Sequence, residues 1–157
     1  MPESAAPKLG KVSSLVTMDV DVPANANGVL YALAGFSGGI TTYVKDGFLN
    51  YEFNLFEIQR TQIKAKDKLP TGKVQIEVES KLVAPKPGAP MDVTLKVNGQ
   101  VVGQGRVPAA MSLHFTSNAT FDIGTDLDSP VSLDYYNLAP FAFNGGIGKT
   151  TIVYLKK

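Results

Sequence analysis

The chain has 157 residues, of which 44% are apolar and 18% charged, and its formal net charge at pH 7 is +1. That length suits one domain burying about 70% of the surface its unfolded chain exposes, while the balance of charge and apolarity excludes global disorder and a molecule-wide field for polyanions. The absence of Cys removes disulfides, thiolate nucleophiles and thiolate metal sites, and is compatible with any redox compartment.

The first residues, "MPESAAPKLGK", lack the basic start and apolar middle of a signal peptide, and no later run is long enough to cross a bilayer. Residues 1–12 are expected to be a linker or the boundary of an excised fragment, with 13–157 a single β-sandwich domain. From Val12 the dominant period is two: Val16, Met18, Val20 and Val22 alternate with Thr17, Asp19 and Asp21, as a strand with one dry face requires. A short strand is expected over Val29–Ala34.

Next comes "TTYVKDGFLNYEF", which predicts a hairpin about Asp46-Gly47. A two-residue turn there puts Val44/Leu49, Thr42/Tyr51 and Ile40/Phe53 on one face, and Lys45/Phe48, Tyr43/Asn50 and Thr41/Glu52 on the other. The first face belongs to the core, where burying a side chain such as Phe53 contributes roughly 1.5–3 kcal/mol. Tyr43 and Phe48 are left on the mixed face.

Ile58–Lys64 is a further strand candidate, followed by Val74, Ile76 and Val78 alternating with Gln75, Glu77 and Glu79. The segment "VAPKPGAP" is a loop, because prolines cannot donate to a ladder. Asn98-Gly99 marks a second hairpin, with Val102 expected opposite Leu95. Ser112–Thr116, Thr120–Gly124 and Gly146–Leu155 complete the strand candidates. No window carries a helical stripe, and 15 Gly and 10 Pro interrupt the chain too often for long helices. Many short strands between turns predict an all-β, antiparallel jelly-roll sandwich.

Four groups of residues bear on chemistry. Glu77 and Glu79 share a strand face, but a glycosidase needs its two carboxylates on opposite sides of the scissile bond, with one sheltered; an exposed polar face is the better reading. Asp122, Asp126, Asp128 and Asp134 fall in or near one acidic loop whose oxygens suit Ca²⁺, although Asp also stabilises turns by bonding its own backbone. His114 is the only histidine; it alternates with Leu113 and Phe115 and has no partner for a zinc site or a catalytic dyad. In "DYYNLAPFAF", Tyr135 and Tyr136 suit an interface or a sugar platform, and Phe141 and Phe143 suit packing over the sandwich.

Taken in order, "TTYVKDGFLNYEFNLFEIQRTQI", Leu69-Pro70-Thr71-Gly72-Lys73, "VTLKVNGQVVGQGRVP", "TFDIGTDLDSPVSLDY" and "FAFNGGIGKTTIVYL" resemble the C-terminal region of bacterial arylsulfatases, over about Ser14 to Leu155. The resemblance implies a parent hydrolase with a formylglycine made from Cys or Ser in a Cys/Ser-x-Pro-x-Arg motif beside a divalent metal. This chain has no such motif, since Ser129 is followed at once by Pro130, so no catalytic residue carries over. The expectation is therefore a non-catalytic accessory sandwich, similar in plan to laminin G or concanavalin-like domains. It would pack on a sulfatase catalytic domain, in the same chain or a separate subunit, and frame its cleft or an oligomer contact, in a bacterial cytoplasm or periplasm. The rival expectation is a carbohydrate-binding module using exposed aromatics such as Tyr43 and Phe48, against which the lack of Trp counts. Neither nucleic acid nor a membrane is expected as partner, and no cofactor beyond calcium.

Overall fold

The computed structural model describes residue 9 and residues 12–35, 38–55, 59–84, 86, 88–109, 121–126, 131–138 and 141–155. Ten strands lie within them: β1 (Ser14–Val22), β2 (Gly28–Gly35), β3 (Gly38–Lys45), β4 (Phe48–Leu55), β5 (Gln59–Lys68), β6 (Gly72–Leu82), β7 (Met91–Val97), β8 (Gln100–Val107), β9 (Phe121–Ile123) and β10 (Gly146–Tyr154). Every strand pairing between them is antiparallel. Sheet I has the order β10-β1-β6-β7-β8 and sheet II the order β5-β4-β3-β2-β9. The two form the expected jelly-roll sandwich.

Alternation builds sheet I. Val16, Met18 and Val20 of β1, Val74, Ile76 and Val78 of β6, and Val93 and Leu95 of β7 point inward and are buried. They meet Leu33, Ile40, Val44, Leu49, Tyr51 and Phe53 of sheet II in one core. The β3–β4 hairpin has the predicted register, with Val44 opposite Leu49, Thr42 opposite Tyr51 and Ile40 opposite Phe53. Its turn residues Asp46 and Gly47 have φ of 52° and 86°, the positive values a two-residue turn of this hand needs.

The β7–β8 hairpin departs from expectation. Leu95 pairs with Gly103 rather than Val102, because the register shifts between Leu95 and Lys96 and leaves Val102 as an extra residue. Without that bulge, Val102, Gln104 and Arg106 would all face the core. With it, Gly103, Gly105 and Val107 oppose the buried Leu95, Val93 and Met91. Arg106 stays exposed and bonds Asp92 through Nε at 2.6 Å and Nη2 at 3.1 Å. The glycines also close one side of the sandwich: a Cβ on Gly105 would lie 2.7 Å from Ile63 Cγ1, so the β5 side chain occupies the place that side chain would need.

Sheet II departs further. Residues 38–44 of β3 are all buried, on both faces. The outer face is covered by the segment after β9, including a 3-10 helix at Leu133–Leu138 where no helical turn is expected from sequence. Val29, Ala32 and Tyr43 pack there against Val131, Tyr135 and Phe141. The strand expected at Ile58–Lys64 runs over Gln59–Lys68, and the one at Thr120–Gly124 is the three-residue β9. Ser112–Thr116, with His114, lies outside the described residues.

Candidate functional site

Polar bonds tie the covering segment to sheet II. Glu52 of β4, 4% exposed, receives Arg60 Nη1 on Oε2 at 2.8 Å and Ser132 Oγ on Oε1 at 2.6 Å. Arg60 Nη1 also donates to the Val131 carbonyl at 2.8 Å. A buried carboxylate is tolerable only when paired and bonded in this way. On the far side of the segment, Asp126 Oδ2 accepts from Val131 N at 2.9 Å and from the Tyr135 hydroxyl at 2.6 Å. Between these anchors the Tyr43 hydroxyl donates to Asp134 Oδ2 and accepts from Gln62 Nε2 at 2.8 Å. The rings of Tyr43 and Tyr135 meet edge to face at 5.1 Å, and Tyr135 stacks on Phe141 at 5.3 Å.

Both hydroxyls are held well above the ordinary tyrosine range. Burial is the larger cause for each, reinforced by the Asp134 carboxylate beside Tyr43 and the Asp126 carboxylate beside Tyr135. The two phenols are therefore neutral donors at any physiological pH and unsuited to act as nucleophiles or bases.

Where this network reaches the surface it forms one wall of a cleft of about 360 Å³. Asp134 and Gln62 line it together with Asn50 of β4, Lys64 of β5, and Lys45, Asp46 and Phe48 at the β3–β4 turn. Lys45 Nζ donates to the Asp134 carbonyl at 2.9 Å, and Asn50 Nδ2 to the Phe48 carbonyl at 2.9 Å. The half-buried Phe48 ring carries the Lys64 ammonium 4.6 Å and the Lys68 ammonium 6.0 Å from its centroid. A larger, open trough of about 570 Å³ lies over Asp19, Asp21, Gly146 and Gly148 at the β10 side of sheet I. Among the described residues, no aromatic side chain lines it.

The sequence-predicted residues fall in different places. Phe48 and Asp134 meet in the cleft. Tyr43 and Tyr135 are 0% exposed and belong to the second core, which corrects the reading of them as surface anchors; the segment folded over them supplies the burial that strand alternation does not reveal. Phe141 and Phe143 pack as expected. The Tyr136 side chain and Asp128 lie outside the described set. Asp122 pairs with Ala32 from β9, and Asp126 and Asp134 are tied to different tyrosines. Among the described residues no three acidic or histidine side chains gather to hold a metal ion, so the calcium expectation has no assembled ligand set here. Glu77 lies opposite Lys96 and Glu79 lies 3.9 Å from Lys81, on the open face of sheet I and in neither cleft. Sequence reasoning missed Glu52, Arg60, Gln62 and Ser132. A signal for their cover was present in "VLYALA", an unalternating run typical of a strand buried on both faces.

No protein-family model matches the chain, and no curated protein matches it. Solved structures do. Domains LG4–5 of the mouse laminin α1 chain superpose with a TM-score of 0.71 at 15% identity, over 97% of this chain and 38% of that one. The fold is laminin G-like. A Ruminococcus gnavus IT-sialidase CBM40 bound to α2,3-sialyllactose follows at 0.62 and 10% identity, over 93% of this chain and 79% of that one. A leech intramolecular trans-sialidase complexed with 2,7-anhydro-Neu5Ac matches at 0.56 and 11% identity, over 92% and 22%. The chain thus spans well under half of the laminin fragment, and at these identities the likeness establishes architecture.

Proposed function

We propose that this chain is a non-catalytic, glycan-binding β-sandwich domain whose ligand occupies the cleft between Phe48, Gln62 and Asp134. The observation that carries this reading is the cleft's composition. A half-buried aromatic ring adjoins ammonium groups, an amide and a carboxylate, the last two fixed by the Tyr43–Asp134–Gln62 bonds before any ligand arrives. Sugars need this pairing of an apolar platform with fixed donors and acceptors, because each ring offers an apolar face rimmed by hydroxyls. The sialyllactose-bound CBM40 among the structural neighbours supports a saccharide ligand for the architecture. Calorimetric titration against a glycan panel tests it: Phe48→Ala is expected to weaken binding of any hit by at least tenfold with the fold intact. Silence across the panel would sink the reading.

A second reading rests on the ordered sequence resemblance to arylsulfatase C-terminal regions, and makes the domain an accessory to a sulfuric ester hydrolase. It is compatible with a glycan site, since an accessory domain can hold substrate near a catalytic one. Coexpression with a sulfatase catalytic domain encoded beside it, followed by size-exclusion chromatography, is expected to give a stable complex; two separate peaks would discard this parentage.

A further inference from the structure

Lys64 and Lys68 leave a conspicuous charge imbalance. The β4–β5 register shifts between Phe48 and Asn50, so that Asn50 pairs with Lys64 and Phe48 with Lys68, which draws both exposed lysines to one ring. Their ammonium groups lie 4.6 and 6.0 Å from the same centroid, and among the described residues neither forms an ion pair with a carboxylate. Lys64 lines the cleft together with Lys45, whose Nζ is already turned to the Asp134 carbonyl, and Lys68 approaches the cleft through the Phe48 ring. Like charges gathered around one apolar ring repel unless an anion lies between them. The same lining also carries the reverse sign: Asp46 and Asp134 present carboxylates, and Asn50 and Gln62 present amides.

We infer that the cleft takes an acidic oligosaccharide, its carboxylate or sulfate group seated against Lys64 beside the Phe48 ring, with Lys68 adding its charge through the same ring, and its hydroxyls donating to Asp46 and Asp134. This rests on the glycan reading above and adds the class of sugar. The two-signed lining decides against a bare polyanion, because a nucleic-acid backbone would bring phosphates against the two aspartates, whereas a hydroxylated ring bearing one anionic group satisfies both signs. Lysines suit this role as point charges for carboxylate or sulfate oxygens.

The test is titration of the whole chain with four probes: a sulfated heparin tetrasaccharide, an unsulfated hyaluronan tetrasaccharide, neutral cellotetraose and a single-stranded DNA of similar charge. At least one acidic saccharide is expected to bind tenfold or more tighter than cellotetraose, with affinity falling as NaCl rises. The double variant Lys64→Gln/Lys68→Gln should lose about tenfold for the acidic probe, and Lys96→Gln on sheet I should lose nothing. Both replaced side chains are exposed, and an unchanged melting temperature verifies the fold. Preference for sulfated or carboxylated probe identifies the group held. Equal binding of neutral and acidic saccharides, unaffected by the double variant, would overturn the acidic assignment while leaving a glycan site standing. DNA bound as tightly as the best saccharide would also overturn it, and no saccharide bound at all would remove the glycan reading itself.

Discussion

Gly105→Ala is expected to destabilise the domain although Ala is the better strand residue. Gly105 is not held at a positive φ, so the backbone accepts Ala, and losing a mid-strand glycine alone would contribute about 0.5–1 kcal/mol of stability. The added Cβ, however, would lie 2.7 Å from Ile63 Cγ1 and 2.9 Å from Cδ1. Real carbon contacts sit near 3.5–4.0 Å, so Ile63 must withdraw from the gap between β5 and β8, at the overpacking cost of about 1–3 kcal/mol. The two terms leave a net loss centred on about 1 kcal/mol, read as a fall of roughly 2–4 °C in melting temperature for a domain of this size. Urea unfolding of the single variants and of Gly105→Ala/Ile63→Ala completes the cycle. Ile63→Ala alone should cost about 2–4 kcal/mol, and the double variant should be more stable than the sum predicts by at least 1 kcal/mol, because the new methyl refills the space the isoleucine vacates. Additive effects, or a neutral Gly105→Ala, would refute the notch.

Arg60→Met leaves the Glu52 carboxylate buried with Ser132 as its remaining described partner, and should cost about 3 kcal/mol in urea unfolding, the low end for a broken buried pair because the guanidinium is 21% exposed; adding Glu52→Gln should recover part of it. Alkali should act through the buried tyrosines Tyr31, Tyr43, Tyr51 and Tyr135, all raised above the ordinary tyrosine range chiefly by burial. Raised folded values mean the native state keeps protons that the unfolded chain releases from about pH 10, so stability is full below that pH and falls above it, by about 1.4 kcal/mol per pH unit for each ring. Absorbance at 295 nm against pH, run beside urea melts, should show these four ionising only together with unfolding; ionisation in the folded state would contradict their burial.

The register of β3–β4 was legible because Asp46-Gly47 admits one tight turn and a shift of one residue would put Phe53 in water. The inward face of sheet I was legible for the same reason. Two things were not. The Val102 bulge follows from what lies beyond Leu95, since only an extra residue keeps Gln104 and Arg106 out of the core, and a turn dipeptide says nothing of that. The cover over Tyr43 depends on bonds between residues some 80 to 90 positions apart, such as Ser132 to Glu52 and Asp134 to Tyr43, and local periodicity has no knowledge of such distant partners. The cleft inherits this, because its wall is made where strand and cover meet.

Strand β5 faces two ways at once. Ile63 and Ala65 are seated in the interior, while Gln62 and Lys64 stand in the cleft on alternate positions of the same backbone. A slight slide of Ile63 in its glycine seat would therefore carry the lysine side chain with it, like a pawl moved by its axle. Substitutions in the opposite sheet are in this way expected to shift the lining of the cleft without touching it.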